Sequence, residues 1–102
     1  MLNVDERDLR ILRAILARTL PDCEIRAYGS RAEGRSHEGS DLDLAVVAPR
    51  ELDPFALADL SSELKESDLP FSVDLIDWRS APQGFRDAIE RGYVTLFPAP
   101  HS

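Results

Sequence analysis

Two aspartates separated by one residue, Asp41 and Asp43, stand at the start of an apolar segment. Side chains alternate along an extended strand, so both carboxylates project from one face, with their Cα atoms ~6.5 Å apart. Carboxylates in this arrangement repel each other unless a cation lies between them. Hard oxygen ligands suit Mg²⁺, which proteins often hold through one or two carboxylates together with substrate phosphates. The pair therefore predicts a divalent cation site.

Gly29 and Ser30 precede Asp41, with ten residues between Ser30 and Asp41. Glycine would let a phosphate approach the backbone closely. Ser30 offers a hydroxyl and an amide where a helix could begin. Taken alone, a Gly-Ser pair is usually a turn, and an Asp-x-Asp motif is usually a solvated strand edge. The combination and its spacing favour a site for a metal ion and phosphates.

Asp74 interrupts a second apolar segment, residues 71–78, and is the natural third carboxylate. It would have to lie on a strand beside the one that carries Asp41 and Asp43. The alternative is a solvent-facing aspartate near the rim of the sheet.

Hydrophobic periodicity predicts the elements that must position these residues. An apolar stripe at helical spacing predicts a helix over 5–18. The predicted strands span 22–28, 41–48, 71–78 and 93–97, and two further helices run from Asp53 to Ser67 and from a Ser80–Gln83 capping box to Gly92. Because one strand pair is joined by a loop and other strands are joined through helices, we expect an α+β fold. Its small mixed β-sheet should carry helices packed mainly on one face.

Length and composition limit the classes of protein. The 102 residues suit a single domain over 1–102, with 43% hydrophobic and 30% charged residues. The net charge of −7 argues against direct binding of nucleic acid. No apolar run is long enough to span a membrane, and the single cysteine, Cys23, suits a reducing compartment. We expect a cytoplasmic protein with no membrane partner.

The residues around the aspartates resemble a known family. Two segments are similar to the minimal nucleotidyltransferase (MNT) group of the DNA polymerase beta-like nucleotidyltransferase superfamily. They run from Tyr28 to Arg35 and from Ser40 to Val47. Residues 73–78 and 84–93 resemble the same group. The resemblance covers about residues 20–97, and all three carboxylates stand at the metal positions of the motif.

This resemblance implies a polymerase beta-like fold and transfer of a nucleotidyl group from a nucleoside triphosphate, ATP being expected, to a hydroxyl. Two divalent ions, Mg²⁺ with Mn²⁺ as an alternative, would be held by three aspartates. Asp41 and Asp43 would bind both ions, and Asp74 would bind the catalytic ion and help to activate the acceptor hydroxyl. Gly29 and Ser30 would hold the triphosphate, and Arg31 or Arg35 would neutralise phosphate charge.

MNT proteins of this size resemble the antitoxin of a two-gene module whose toxin is a HEPN-domain RNase. The resemblance implies a hetero-oligomer in which AMP is transferred to a tyrosine of the toxin. Two alternatives stay open: nucleotidyl transfer to a small-molecule hydroxyl with a separate acceptor-binding chain, and a non-catalytic antitoxin that masks its partner. For a protein acceptor, we expect docking on the 30–40 loop and on the segment after Trp78.

Overall fold

Helices and strands alternate along the part of the chain that the computed structural model describes, residues 2–34 and 39–98. In chain order these elements are α1 (Glu6–Thr19), β1 (Glu24–Tyr28), α2 (Ser30–Glu33), β2 (Leu42–Val47), α3 (Pro54–Glu66), β3 (Val73–Asp77), a 3₁₀ turn (Trp78–Ser80), α4 (Gln83–Glu90) and β4 (Val94–Phe97). All the predicted strands and helices are present, most of them slightly shorter than predicted.

The four strands form one mixed sheet in the order β3-β2-β1-β4. β1 pairs antiparallel with β2 and with β4, whereas β2 and β3 are parallel. A parallel pair needs a crossover connection, and α3 supplies it between β2 and β3. The predicted mixed sheet is confirmed.

One face of the sheet carries the main core. Leu42, Leu44 and Val46 alternate along β2 and are fully buried. Helices α1 and α3 cover this face. Their buried contributions are Leu12, Ile15, Leu16, Leu60 and Leu64. The expectation that helices pack mainly on one face holds for these two.

Helix α4 reaches the opposite face. The ring of Phe85 meets the ring of Tyr28 edge to face, with their centres 5.8 Å apart. Tyr28 alternates with the core residue Ala27, so it projects from the face that α1 and α3 leave open. The site aspartates lie on this same face.

The start of α4 differs from the predicted capping box. Pro82 is the N-cap residue, without a side-chain cap hydrogen bond, and Ser80 ends the preceding 3₁₀ turn. Gln83 Nε2 instead donates to Asp87 Oδ1 at 2.8 Å, one turn along the helix. Proline disfavours a helical conformation at the residue before it, so the helix starts after Pro82 rather than at Ser80.

No helix within residues 2–34 and 39–98 has both the length and the apolar character that a membrane span requires.

Candidate active site

Asp43 and Asp74 face each other across the parallel pair of strands. They are direct register partners on β2 and β3, and therefore project from the same face of the sheet. Asp43 is half-buried and Asp74 is exposed. The third predicted carboxylate, Asp41, directly precedes β2 and is exposed. The sheet therefore brings together the two aspartates that the sequence places thirty-one positions apart (74 − 43).

The electrostatics of the site centre on Asp43. Burial raises the pKa of its carboxyl above the ordinary value, and the negative charges of Asp74 and Asp41 raise it further, as does a hydrogen bond with Asp74. All four causes favour the protonated form of Asp43. The folded chain thus holds concentrated negative charge that a cation would stabilise.

Tyr28 forms the wall of the site on β1. It is the register partner of Asp43 on the antiparallel side. Burial and the charges of Asp43 and Asp74 raise the pKa of its phenol to about 12. Tyr28 therefore stays neutral at physiological pH and places a hydroxyl, rather than a further negative charge, beside the carboxylates.

Gly29 brings the backbone against Asp43. Its φ of 79° lies in the left-handed region that side chains rarely adopt. A Cβ at this position would collide with Asp43 Oδ2. Glycine is therefore required both for the turn from β1 into α2 and for the close approach of the chain to the carboxylate. Ser30 follows as the first residue of α2.

Arg31 packs against neighbouring segments of the chain. It is buried, its Nε donates to the Ser40 carbonyl at 2.8 Å, and its Nη1 donates to the Asn3 carbonyl at 2.9 Å. The guanidinium carbon also lies 4.4 Å from the centre of the Phe71 ring. These contacts tie α2 to neighbouring segments, and the phosphate contact of Arg31 stays a prediction. Arg35, the other predicted phosphate ligand, lies outside the described residues.

The carboxylates of the site suit a divalent cation, although the described residues alone do not complete its coordination shell. Among the described residues, no three His, Cys, Asp or Glu side chains are arranged to hold a metal ion as they stand. Asp43 and Asp74 nevertheless supply carboxylate oxygens from adjacent strands, and their mutual repulsion raises the pKa of Asp43. Mg²⁺ commonly takes only one or two carboxylates and completes its shell with water and phosphate oxygens. The residues present therefore suit such an ion.

Arg26, which the sequence analysis did not single out, holds the turn that follows β3. Its guanidinium carbon lies 4.9 Å from the centre of the Trp78 ring and 4.5 Å from that of Tyr93. Its Nε donates to Glu24 Oε2 at 2.8 Å. The sequence held one signal for Arg26. Alternation along β1 places it on the same face as Tyr28. Trp78 packs against the Arg26 guanidinium.

Comparison with protein families agrees with this geometry. Residues 23–99 match the model described as "Polymerase beta, Nucleotidyltransferase", which covers most of the chain. The chain belongs to the polymerase beta nucleotidyltransferase family. The resemblance and the fold inferred from the motif are thereby confirmed.

The chain is 39% identical to the "Probable protein adenylyltransferase MntA" of Haemophilus influenzae, over 93% of this chain and 83% of that protein. It is 44% identical to the "Protein adenylyltransferase MntA" of Shewanella oneidensis, over 56% of this chain and 40% of that protein. Members of this family generally use a nucleoside triphosphate and a divalent metal ion.

Solved structures show the same fold. One is a crystal structure of a toxin-antitoxin with AMP-PNP, with a TM-score of 0.73 at 30% identity, covering 91% of this chain and 73% of the other. Another is a minimal nucleotidyltransferase, with a TM-score of 0.70 at 29% identity, covering 89% and 95%. A third contains a tri-AMPylated Shewanella oneidensis HEPN toxin in complex with an MNT antitoxin, with a TM-score of 0.69 at 26% identity, covering 90% and 71%.

Proposed function

We propose that this chain is a metal-dependent protein adenylyltransferase that transfers AMP from ATP to a tyrosine hydroxyl of a HEPN-domain toxin and thereby acts as its antitoxin. The observation that carries the proposal is the register pairing of Asp43 with Asp74, with the Gly29 backbone packed against Asp43. The names of the two relatives and the AMPylated HEPN complex support the choice of substrate and partner.

Each site residue has a distinct role in this proposal. Asp41 and Asp43 would hold two Mg²⁺ ions, for which Mn²⁺ could substitute, and Asp74 would hold the catalytic ion. Gly29 and Ser30 hold the triphosphate, because the glycine leaves room for phosphate oxygens next to the backbone. When bound, the ions neutralise phosphate charge and align the attacking and leaving oxygens.

The reaction is an in-line displacement at the α-phosphorus. The tyrosine oxygen forms a bond to that phosphorus, and the bond from the α-phosphorus to the bridging oxygen breaks with release of pyrophosphate. Asp74 is exposed at the site and accepts the phenolic proton as the new bond forms. Tyr28 stays neutral and adds no negative charge where the triphosphate must enter.

We further propose that the protein acts in the cytoplasm, where ATP is available and where an RNase toxin would attack its substrates. It would form a hetero-oligomer with its toxin and would not bind nucleic acid directly, in keeping with its net charge of −7.

The test is incubation of the purified HEPN-domain partner with this protein, ATP and Mg²⁺, followed by intact-mass measurement of the partner. Mass increases of whole AMP units are expected, together with loss of RNase activity. Asp43→Asn and Asp74→Asn should each lower the rate by ~10²-fold or more. Asp59→Asn, at an exposed position on α3, is the matched control and should leave the rate unchanged.

Two outcomes would overturn the proposal. If the partner loses its RNase activity without any mass change, the protein masks its toxin instead of modifying it. If the partner is unchanged while a small-molecule hydroxyl acquires AMP, the acceptor is not a protein.

A further inference from the structure

Phe85 is a large apolar side chain that the fold leaves in solvent. It is 42% exposed, and among the described residues the other exposed large hydrophobic side chain is Phe55, at 76%. Single exposed hydrophobic residues are common and need no explanation. Phe85 differs because it lies between two hollows and beside the proposed active site.

The hollows flank Phe85 along α4. One, of about 340 Å³, is lined by Ile76, Asp77, Ser80, Ala81, Pro82 and Phe85. The other, of about 210 Å³, is lined by Tyr28, Gly29 and Glu33 and, on the side of α4, by Phe85, Ala88 and Ile89. We use "Phe85 patch" for the apolar surface that joins them, formed by Tyr28, Ile76, Pro82 and Phe85.

The Phe85 patch is continuous with the carboxylates. Ile76 is two residues beyond Asp74 on β3 and projects from the same face. The Phe85 ring contacts the Tyr28 ring, and the Tyr28 phenol is close enough to Asp43 and Asp74 for their charges to raise its pKa. A side chain that reaches Asp43 and Asp74 from the side of α4 therefore passes over the Phe85 patch.

Carboxylates line both hollows, and the guanidinium of Arg86 also lies beside the patch, where its Nε donates to the Ala81 carbonyl at 2.9 Å. Among the described residues, Asp77 is the charged residue that lines the first hollow, and Glu33 is the one that lines the second. Together with the two register-paired aspartates of the site, they place four carboxyl groups near the patch. A ligand suited to this surface combines an apolar or aromatic contact with basic groups, and the net charge of −7 disfavours an anionic nucleic acid.

We propose that the Phe85 patch is the docking surface for the acceptor segment of the partner protein, a basic segment that seats an apolar side chain against Phe85 beside its acceptor tyrosine. This inference rests on the proposed function and names where the protein substrate binds. Aromatic side chains at the centre of an interface commonly dominate its affinity, whereas charged rim residues tune encounter and salt dependence.

The test measures binding of the HEPN-domain partner by calorimetry without nucleotide, so a defect in the nucleotide site cannot imitate a docking defect. Phe85→Ala should raise the Kd by about tenfold or more, and Phe85→Leu, which keeps apolar volume, should restore most of the affinity. Phe55→Ala is the control. Phe55 lies in the first turn of α3, beyond the carboxyl end of β2, whereas Asp43 lies near the amino end of β2.

Steady-state kinetics give the second measurement. Phe85→Ala should raise the KM for the partner and leave the KM for ATP unchanged. Binding by the wild-type protein should also weaken as ionic strength rises. Thermal melts of all variants show whether each one is folded.

Binding and AMP transfer, measured separately, distinguish the proposed function from the docking surface. If wild-type protein binds the partner but transfers no AMP, the proposed function is wrong, and the Kd series still decides the docking surface. If Phe85→Ala binds as tightly as wild type, or raises only the KM for ATP, the docking inference is overturned even where AMP transfer occurs. Binding that is insensitive to salt would overturn the choice of a basic acceptor segment.

Discussion

Asp43 occupies the most constrained position of the site. It pairs in register with Asp74 on one side and with Tyr28 on the other, and the Gly29 backbone packs against its carboxyl. Burial and two neighbouring carboxylates raise its pKa. Such an arrangement destabilises the fold when no cation is present, which is typical of residues selected for function rather than stability.

Asp43→Asn should therefore raise the free energy of unfolding at neutral pH in the absence of divalent ions, by up to about 1 kcal/mol. The folded-state pKa of Asp43 lies above its unfolded value, so the unfolded chain binds fewer protons between the two values, and stability is lost as pH rises through that window. The stability gained by Asp43→Asn should therefore shrink below the unfolded-state pKa, because Asp43 is then protonated in both the folded and the unfolded state. Chemical denaturation across pH measures it, and a loss of stability at neutral pH would mean that Asp43 is a structural residue.

Gly29 and Gly84 give a matched pair of substitutions with opposite expected signs. Gly29→Ala should lower the free energy of unfolding by ~1 kcal/mol or more and should reduce AMP transfer, because its φ is positive and its Cβ would displace Asp43. Gly84→Ala should raise stability by up to about 1 kcal/mol, since it lies in α4 with no atom near its Cβ. Urea unfolding and the mass assay measure both effects. Equal stability changes in the two variants would contradict this description of the Gly29 turn.

The helices of this chain show how far local signals determine an element. Asp53 with Pro54 predicts the start of α3, and in the structure Asp53 Oδ1 accepts from the Phe55 amide at 2.9 Å. Asp5 occupies the same position before α1, but its side chain makes no cap hydrogen bond. Ser80 and Gln83 carry a capping pattern that the structure does not use. A cap pattern locates a helix start well when proline follows directly, because proline also fixes the first helical residue.

Asp53 and Asp5 both occupy N-cap positions, so substituting each one compares a helix start with and without a side-chain cap hydrogen bond. Asp53→Ala should lower the free energy of unfolding by about 1 kcal/mol, the usual effect of losing a side-chain cap. Asp5→Ala should lower it by less, since it removes no cap hydrogen bond. The comparison is made by thermal or urea unfolding at an ionic strength that screens the helix dipole. Losses of the same size would show that the Asp53 hydrogen bond adds nothing to stability.

For the molecule as a whole, charge governs which ligands can approach. The chain carries a net charge of −7, and its open sheet face concentrates carboxylates. A triphosphate is repelled from such a face unless cations accompany it. The same charge suits a basic protein partner. That residues 1–102 form one domain stays a prediction.

Binding of ATP should accordingly depend on a divalent ion. Calorimetric titration with ATP should give an affinity at least about tenfold higher with Mg²⁺ than in the presence of chelator, a difference of ~1.4 kcal/mol. Asp74→Asn should reduce the Mg²⁺-dependent gain, and Asp59→Asn should preserve it. The same ATP affinity with and without divalent ions would contradict the assignment of the aspartates as metal ligands.

Local pattern in the sequence determined the individual parts of this protein. The spacing of Asp41 and Asp43 and the apolar alternation of their segment depend only on strand geometry with a period of two, so both could be inferred without a fold. The family resemblance added the activity, because the motif combines these residues at a specific spacing. The tertiary structure decided which parts meet. Parallel register placed Asp74 against Asp43, and the antiparallel hairpin placed Tyr28 beside both.

Other outcomes also required the folded chain. The fold decided the contacts of Arg31, because it buries this side chain against the carbonyls of residues 3 and 40. The fold also decided the exposure of Phe85, which lies beside the site because α4 packs on the sheet face that α1 and α3 do not cover. Strand register and helix placement depend on contacts between residues far apart in sequence, which no local pattern encodes.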